Sequence, residues 1–532
     1  MMKLRLTVII FLSIIGSSSV PAQDIFEVVR AGDLAKVKVV LEKNPDLLNA
    51  MDMKKTPGHT PIHVAASFGH TDVIAFFLEK GVDINIRTPF NETPLHLAAQ
   101  NGRKDAVEFF IAHEAELNLK NRWGDTPVFR AASRGHSEIM ALFLKNGVNV
   151  STTARDEKTL LHVASSGSYI DLAHLLINKG IDVNSTNTFG QTPLHLAASH
   201  GHEEVVKLLL DKKANPDWKG LDGRSALHYA ELGGHKEVAQ LLTSEGSETS
   251  SWEFPVLKGK YLGQDLPGRR AEIFAPGIIS TDGGEFAGTF SPDENEFYYT
   301  ANGGVKQLKM NTIMVTKHVD GRWTEPEVAP FSGAYFDFEP HVTVDGTKLY
   351  FGSMRPMTGE EKPGGVHLWV SELVGADWSD PQPAASFFPD ASITYPSVTQ
   401  DSTVYYTGRD STGKPGIYVS RLEGGKYQTS VRLGEEINFH FSVHHAYIAP
   451  DESYLIFDAQ PQLQGPELYI SFRRPDGTWT KSGRFGDEVN ATGTEMCGFV
   501  SPDGRFFFFS REGNVYWMDA KVIEESKPES LK

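Results

Sequence analysis

"FEPHVTVDGTKLYFGSMRP", Phe338 to Pro356, decides the fold of the second half of this chain. It reads as two short strands around a Val344-Asp345-Gly346 turn. Asp and Gly take the turn dihedrals, and the flanking apolar residues alternate as strand residues do. Val342, Val344 and Leu349 are expected to pack a sheet. Glu339, His341 and Arg355 are not needed for folding, and they raise the question of a ligand site.

The same pattern returns four more times. "GTFSPDENEFYYT", "PSVTQDSTVYYTG", "AYIAPDESYLIFDA" and "GFVSPDGRFFFFS" place their turn aspartates at Asp293, Asp401, Asp451 and Asp503, about 50 residues apart. A third strand follows each copy, as in "TIMVTKHV" and "VHLWVSEL". A fourth begins around "RWTEPEVAP" or "DWSDPQPAA". Four strands per copy at this period imply propeller blades. Over residues 271–520 the motif resembles the WD40-like propeller repeats of TolB-type proteins. That resemblance often implies six blades, but five copies are present. The fifth lacks its outer strand after "NVYWMDAKV", and "AEIFAPGIIS" stands unused before the first copy. The expectation is a five-bladed ring in which residues near 271–278 supply the missing strand, so that no edge stays open.

The first half carries a different period. "TPIHVAA" at Thr60, "TPLHLAA" at Thr93, "TPVFRAA" at Thr126, "TLLHVAS" at Thr159, "TPLHLAA" at Thr192 and "SALHYAE" at Ser225 recur every 33 residues. Thr caps a helix, Pro fits its first turn, and Leu and Ala face the next repeat. The pattern resembles the ankyrin family. "DIFEVVRAGDLAKVKVVLEKN" reads as an additional N-terminal capping unit, about seven in all. The organisation expected is therefore multidomain α + β: an ankyrin α-solenoid over 23–248, a linker over 249–270, an all-β propeller over 271–520 and a charged tail over 521–532. Trp252, Phe254 and Tyr261 suggest that the linker docks rather than swings.

Residues 1–22 read as a signal peptide. Lys3 and Arg5 precede the apolar run Leu6–Ile15, and small residues lead to a cut before Gln23. The expected location is exported, periplasmic or secreted, with no membrane insertion of the mature chain. Cys497 is the single cysteine, so no intrachain disulfide forms. The formal net charge of −17 and the lack of a basic stripe make nucleic acid a poor partner.

Standard catalytic strings are absent: no Gly-x-Ser-x-Gly elbow and no His-Glu-x-x-His occurs. "GRDSTGKP" ends in Pro415 where a phosphate loop needs Ser or Thr, so it reads as a hairpin loop. The repeated histidines His63, His96, His162, His195 and His228 occur one per repeat. The ankyrin resemblance gives them a hydrogen bond near each helix start, not a metal. No cofactor and no metal ligand is assigned, although His444-His445 beside Glu339 has the donor types for a divalent ion. Strand alternation lets only one of the two histidines face inward.

Two groups of residues are candidate binding sites. Strand entries and second-to-third-strand loops should bring Glu285, Asp337, Glu339, His341, Arg355, Tyr395, Arg409, His444, His445, Asp458, Glu495 and Arg511 to one propeller mouth. Interleaved arginine and carboxylate suit a polar ligand, a glycan or a peptide end, and equally suit a salt-bridge network between blades. In the ankyrin half, the aromatics Phe90, Trp123, Phe189 and Trp218 at or near the hairpin tips are candidate protein contacts, or else pack on one another. The tip at Glu157 lacks the usual glycine and should be distorted. The leading expectation is a non-catalytic interaction protein. The alternative is a propeller hydrolase of glycosidase type working through mouth carboxylates, which needs two carboxyls about 6.5–9.5 Å apart for inversion.

Overall fold

The computed structural model describes residues 22–52, 55, 58–248, 252–281, 283–302, 310–356, 366–384, 392–409, 413–439, 442–460 and 465–532. The expected leader falls outside these residues except for Ala22. Among them, no helix is long and apolar enough to cross a membrane. The chain divides into two compact units, residues 1–88 with 92–116, and residues 89–91 with 117–532.

The first unit holds three ankyrin repeats. Their helix pairs are Ala22–Arg30 with Leu34–Lys43, Pro61–Phe68 with Thr71–Glu79, and Pro94–Gln100 with Lys104–Ala112. The repeated histidine does what the 33-residue motif implies. The Thr60 amide donates to Nδ1 of His63, Thr60 Oγ1 lies 2.8 Å from the same nitrogen, and Nε2 donates to the Glu92 carbonyl at 3.1 Å. One imidazole thus closes a capping box and ties its helix to the next repeat. Burial drives the His63 pKa down to about 3, so the ring is neutral.

The second unit begins with four further repeats: Pro127–Ala132 with Ser137–Lys145, Leu160–Ser166 with Ile170–Asn178, Pro193–Ser199 with Glu203–Asp211, and Ala226–Leu232 with Lys236–Ser244. At the hairpin tip without a glycine, Glu157 takes the positive φ (55°) that Gly124, Gly190 and Gly223 take at the matching positions, and the departure from the other tips is a second positive φ at Asp156 (56°).

Five antiparallel blades follow, among the described residues three of four strands and two of five. Their inner strands are Glu285–Phe290, Asp337–Val342, Ser392–Val398, Ser442–Ile448 and Met496–Val500. Each pairs antiparallel with the next strand of its own blade. Each also packs against the inner strands of both neighbouring blades, which closes the ring. The clasp is present. Glu272–Ile273 pairs with Asn514–Asp519, so the first strand of the domain completes the last blade. Phe274, Phe297, Phe508 and Trp517 pack around that seam, all fully buried, with Phe274 5.1 Å from Phe508 and 5.2 Å from Trp517. Burial of this size amounts to about 2 kcal/mol or more per side chain.

The linker docks as expected. Trp252 Nε1 donates to the Asp222 carbonyl at 3.0 Å, and the Arg224 guanidinium lies 3.8 Å over the Trp252 ring. Tyr261 is buried and donates to Asp503 Oδ2 at 2.9 Å. Two expectations are corrected. Val344 sits in its turn with 37% of its surface exposed, because the turn takes it out of the strand. The segment read as a charged tail forms a short helix, Lys521–Glu525, whose Val522 and Ile523 join the core beside Phe507 and Met518. Two apolar residues among charges are enough to anchor one helical face.

Candidate functional site

The inner strands share an irregularity that motif counting does not expose. Every one has a register shift in the same place, between Phe286 and Thr289, Phe338 and His341, Thr394 and Ser397, His444 and Tyr447, and Met496 and Phe499. Between the flanking pairs, two residues on the inner strand oppose one on its partner, which is a β-bulge. At each bulge one non-glycine residue takes a left-handed conformation: Ala287 (φ 51°), Glu339 (57°), Tyr395 (55°), His445 (48°) and Cys497 (54°). Such a conformation costs on the order of 1–2 kcal/mol per residue. It persists only where surrounding structure holds it.

The bulge sorts the expected mouth residues into separate groups. Two residues before the left-handed position stand Glu285, Asp337 and Glu495, and these carboxylates are satisfied within their own blades. Asp337, fully buried, receives Arg355 Nη1 at 2.8 Å and Nη2 at 3.2 Å, with Ser353 Oγ at 2.6 Å and Ser332 Oγ at 2.8 Å. Burial raises the Asp337 pKa, against the lowering pull of those partners. Glu495 receives Arg511 Nε at 3.0 Å and the Thr492 amide at 2.9 Å. Glu285 is bound by the amide of Thr281 at 2.7 Å and its hydroxyl at 2.5 Å. Arg409 is exposed and donates to the Gly413 carbonyl. The opening triplet therefore splits: Arg355 belongs with Asp337, and not with Glu339 and His341.

The left-handed residues point to the axis. They line a cavity of about 70 Å³ with His341 and the small residues Gly288, Pro340, Pro396 and Gly498 among its walls. His445 stands at its centre. Its Nδ1 lies 2.5 Å from Asp458 Oδ1, its Nε2 lies 3.2 Å from Glu339 Oε1, and its ring centroid lies 4.1 Å from that of Tyr395. The second oxygen of Glu339, Oε2, is buried with no hydrogen-bond partner. One donor atom each from Glu339, His445 and Cys497 lies within 4.8 Å of the others. Burial raises the Glu339 carboxyl and pushes the Cys497 thiol up to about 12. Burial opposes a charge on His445, but the neighbouring Asp458, Cys497 and Glu339 outweigh it and raise its pKa well above the ordinary value. His444 turns away, to Ser442 Oγ, as strand alternation requires. His341 is held neutral, its pKa driven down to about 4 by burial, and Nε2 accepts from the Val398 amide at 3.3 Å.

Sequence reasoning missed the arrangement between the fourth to seventh repeats and the propeller. Arg122 donates to the Thr492 carbonyl, Arg155 Nε lies 3.6 Å from Glu512 Oε2, and Arg224 Nη2 lies 3.1 Å from Glu325 Oε1. Beside the last pair opens a cleft of about 460 Å³, lined among others by Phe189, Asp222, Tyr229, Ile278, Met314 and Glu325. No repeat signal marks residues that pair across domains. The expected aromatic anchors behave differently from one another. Phe90 and Trp123 stack on each other at 5.7 Å, and Phe189 is only 2% exposed, so these three are packed rather than presented. Trp218 keeps 39% of its surface exposed.

Comparison with known proteins agrees with the helical half. The family model described as ankyrin repeats (3 copies) matches residues 25–121, 105–187 and 171–251. The chain is 35% identical over 80 residues to a probable E3 ubiquitin-protein ligase, XBOS32, of Oryza sativa subsp. japonica, and 34% identical over 80 residues to the E3 ubiquitin-protein ligase XBAT32 of Arabidopsis thaliana. Each match takes in 14% of this chain and spans only 16% and 15% of those relatives' lengths. Among solved structures, the crystal structure of the human ASB11 ankyrin repeat domain is similar at 27% identity with a TM-score of 0.38, covering 42% of this chain and 99% of that one. The family match covers the helical repeats; the five propeller-like blades that follow them are seen in the sheet topology. Ankyrin repeats indicate interaction with proteins.

Proposed function

We propose that the chain is an exported, non-catalytic interaction protein that holds a protein partner on its ankyrin repeats and a small polar ligand, a glycan or a peptide end, where those repeats meet the propeller. The observation that carries the ligand half is the cleft of about 460 Å³. Its volume lies within the range of about 300–1,000 Å³ usual for small-molecule sites. Its walls combine apolar Phe189, Ile278 and Met314 with polar Asp222, Tyr229 and Glu325, the mixture that orients a polar ligand. The axial cavity, at about 70 Å³, has room for little more than two or three waters. Export rests on the basic, apolar and small residues of the first 22 positions. For the protein partner, the exposed Trp218, near the hairpin tip, supports a contact there.

The hydrolase alternative is less well supported. It needs two carboxylates facing a sugar-sized space, whereas Asp337 and Glu495 are each clamped by an arginine. A thermal-shift screen of the full chain with glycans and short peptides tests the reading. One class should raise the unfolding midpoint, and Leu232→Trp, which fills the cleft from its half-exposed rim, should abolish the shift. A shift that survives Leu232→Trp, or no shift with either class, would refute the ligand half. For the partner half, whatever protein co-purifies with the chain should be lost with Trp218→Ala.

A further inference from the structure

We propose that Glu339, His445 and Cys497 form a binding site for a thiophilic divalent cation, of which zinc is the best fit, on the propeller axis. The three residues come from blades 2, 4 and 5, yet occupy one register position, the left-handed residue of each bulge. Five-fold repetition by itself brings them to one point. Blade 3 contributes Tyr395 as a wall, and blade 1 contributes Ala287, which has no donor and leaves space for a fourth ligand such as water.

Several independent features fit an ion. The donor set is one thiolate, one imidazole and one carboxylate, which are the ligand types of zinc. Three protein ligands with a vacancy is the pattern of open zinc sites. Two donors about 2.0–2.1 Å from one ion at a tetrahedral angle stand about 3.3 Å apart. The observed 3.2 Å between Glu339 Oε1 and His445 Nε2 matches that edge. Asp458 binds the other imidazole nitrogen, so that Nε2 is the nitrogen aimed at the axis. Such a carboxylate behind a ligating histidine fixes ring orientation and strengthens the ligand. Asp458 also accepts from the Cys497 amide at 3.3 Å, which holds the third donor in the same frame. Finally, Glu339 Oε2 is buried without a partner on a side chain that is only 9% exposed. A buried, unsatisfied carboxylate oxygen is costly, and an ion removes that cost.

The competing account is a proton. A protonated His445 between Asp458 and Glu339 forms an ionic chain that needs no metal. It leaves Glu339 Oε2 unsatisfied. The site differs from the histidine pair that the sequence suggests: His444 faces away, and the cysteine, 52 positions after His445, takes its place.

The test is cobalt titration of the full chain after treatment with a chelator, followed by absorption spectroscopy. One equivalent of Co²⁺ should produce a thiolate-to-cobalt charge-transfer band, and Zn²⁺ should displace it. Cys497→Ser, close in shape to the native residue, should abolish the band, and Glu339→Gln should weaken binding. Asp458→Asn should weaken it by about 10–100-fold, as loss of an outer-shell carboxylate does. Circular dichroism and the unfolding midpoint of each variant establish that the propeller remains folded. Absence of the band in the wild-type chain overturns the proposal. So does cobalt binding that is unchanged in Cys497→Ser.

Discussion

Glu339 and His445 meet across the propeller axis, Oε1 to Nε2 at 3.2 Å, although 106 residues and a whole blade separate them. Each is the left-handed residue of its own bulge. The repeat therefore builds the contact by symmetry: one irregularity, copied five times, aims five side chains at a common point. What differs between blades is only the residue placed there. Polar choices in blades 2, 4 and 5, an aromatic in blade 3 and a methyl group in blade 1 turn a structural ring into a one-sided site.

The backbone strain at this ring is directly measurable at Ala287. A glycine there removes the Cβ that disfavours φ 51°. Ala287→Gly is expected to leave stability unchanged or raise it by up to about 1 kcal/mol in urea denaturation. The control is Ala459, a buried strand residue outside the bulge, where Ala459→Gly should cost about 1 kcal/mol or more. Equal losses at both positions would mean that the bulge carries no strain.

Much of the organisation is legible from residues alone. The 33-residue period locates the helix pairs, and the Thr-x-x-His spacing accounts for the hydrogen bonds seen at His63. The five turn aspartates count the blades, and the unmatched "AEIF" identifies the closing strand. The candidate site is legible only as a population. Twelve residues converge on one face by topology, but a bulge changes which of them look along the axis, since one extra residue reverses facing. No local signal announces that bulge, because glycine does not stand at its left-handed position in any blade. In the sequence Cys497 stands only as the single cysteine, because nothing local marks it as the left-handed residue of its strand. The pairing of Arg224 with Glu325 was missed because it joins two repeats of unrelated period.

The arginine clamp in blade 2 carries a stability prediction. Arg355 and Asp337 are 8% and 0% exposed, and the pair is bidentate. Removing only the arginine strands a buried carboxylate. Arg355→Ala should destabilise the propeller by about 3–5 kcal/mol, against about 1 kcal/mol for an exposed ion pair such as Lys348 with Glu372. A loss for Arg355→Ala no greater than that for Lys348→Ala, in chemical denaturation, would show that Asp337 is satisfied by Ser332 and Ser353 without it.

The capping histidines predict acid sensitivity. Burial lowers His63 to about 3 and His195 to about 4 in the folded chain, below the ordinary value near 6.5 expected after unfolding. Between those values the unfolded state binds more protons, so stability rises with pH. Full stability is present above about pH 6.5 and falls as pH drops towards 4. Each histidine contributes at most about 1.4 kcal/mol per pH unit within that window. Denaturation midpoints measured from pH 7.5 to 5 should decline, and His63→Gln and His195→Gln, less stable at pH 7.5, should show a shallower decline. Identical slopes in wild type and variants would exclude these groups as the cause.

The central claim is that the propeller axis holds a built cation site. Anomalous diffraction at the zinc absorption edge, from crystals of the full chain grown with Zn²⁺, tests it most directly. The account predicts one strong peak on the axis, bonded to Glu339, His445 Nε2 and Cys497 Sγ, with Asp458 still on Nδ1. A map with no peak there, and Glu339 still in direct contact with His445, would contradict it.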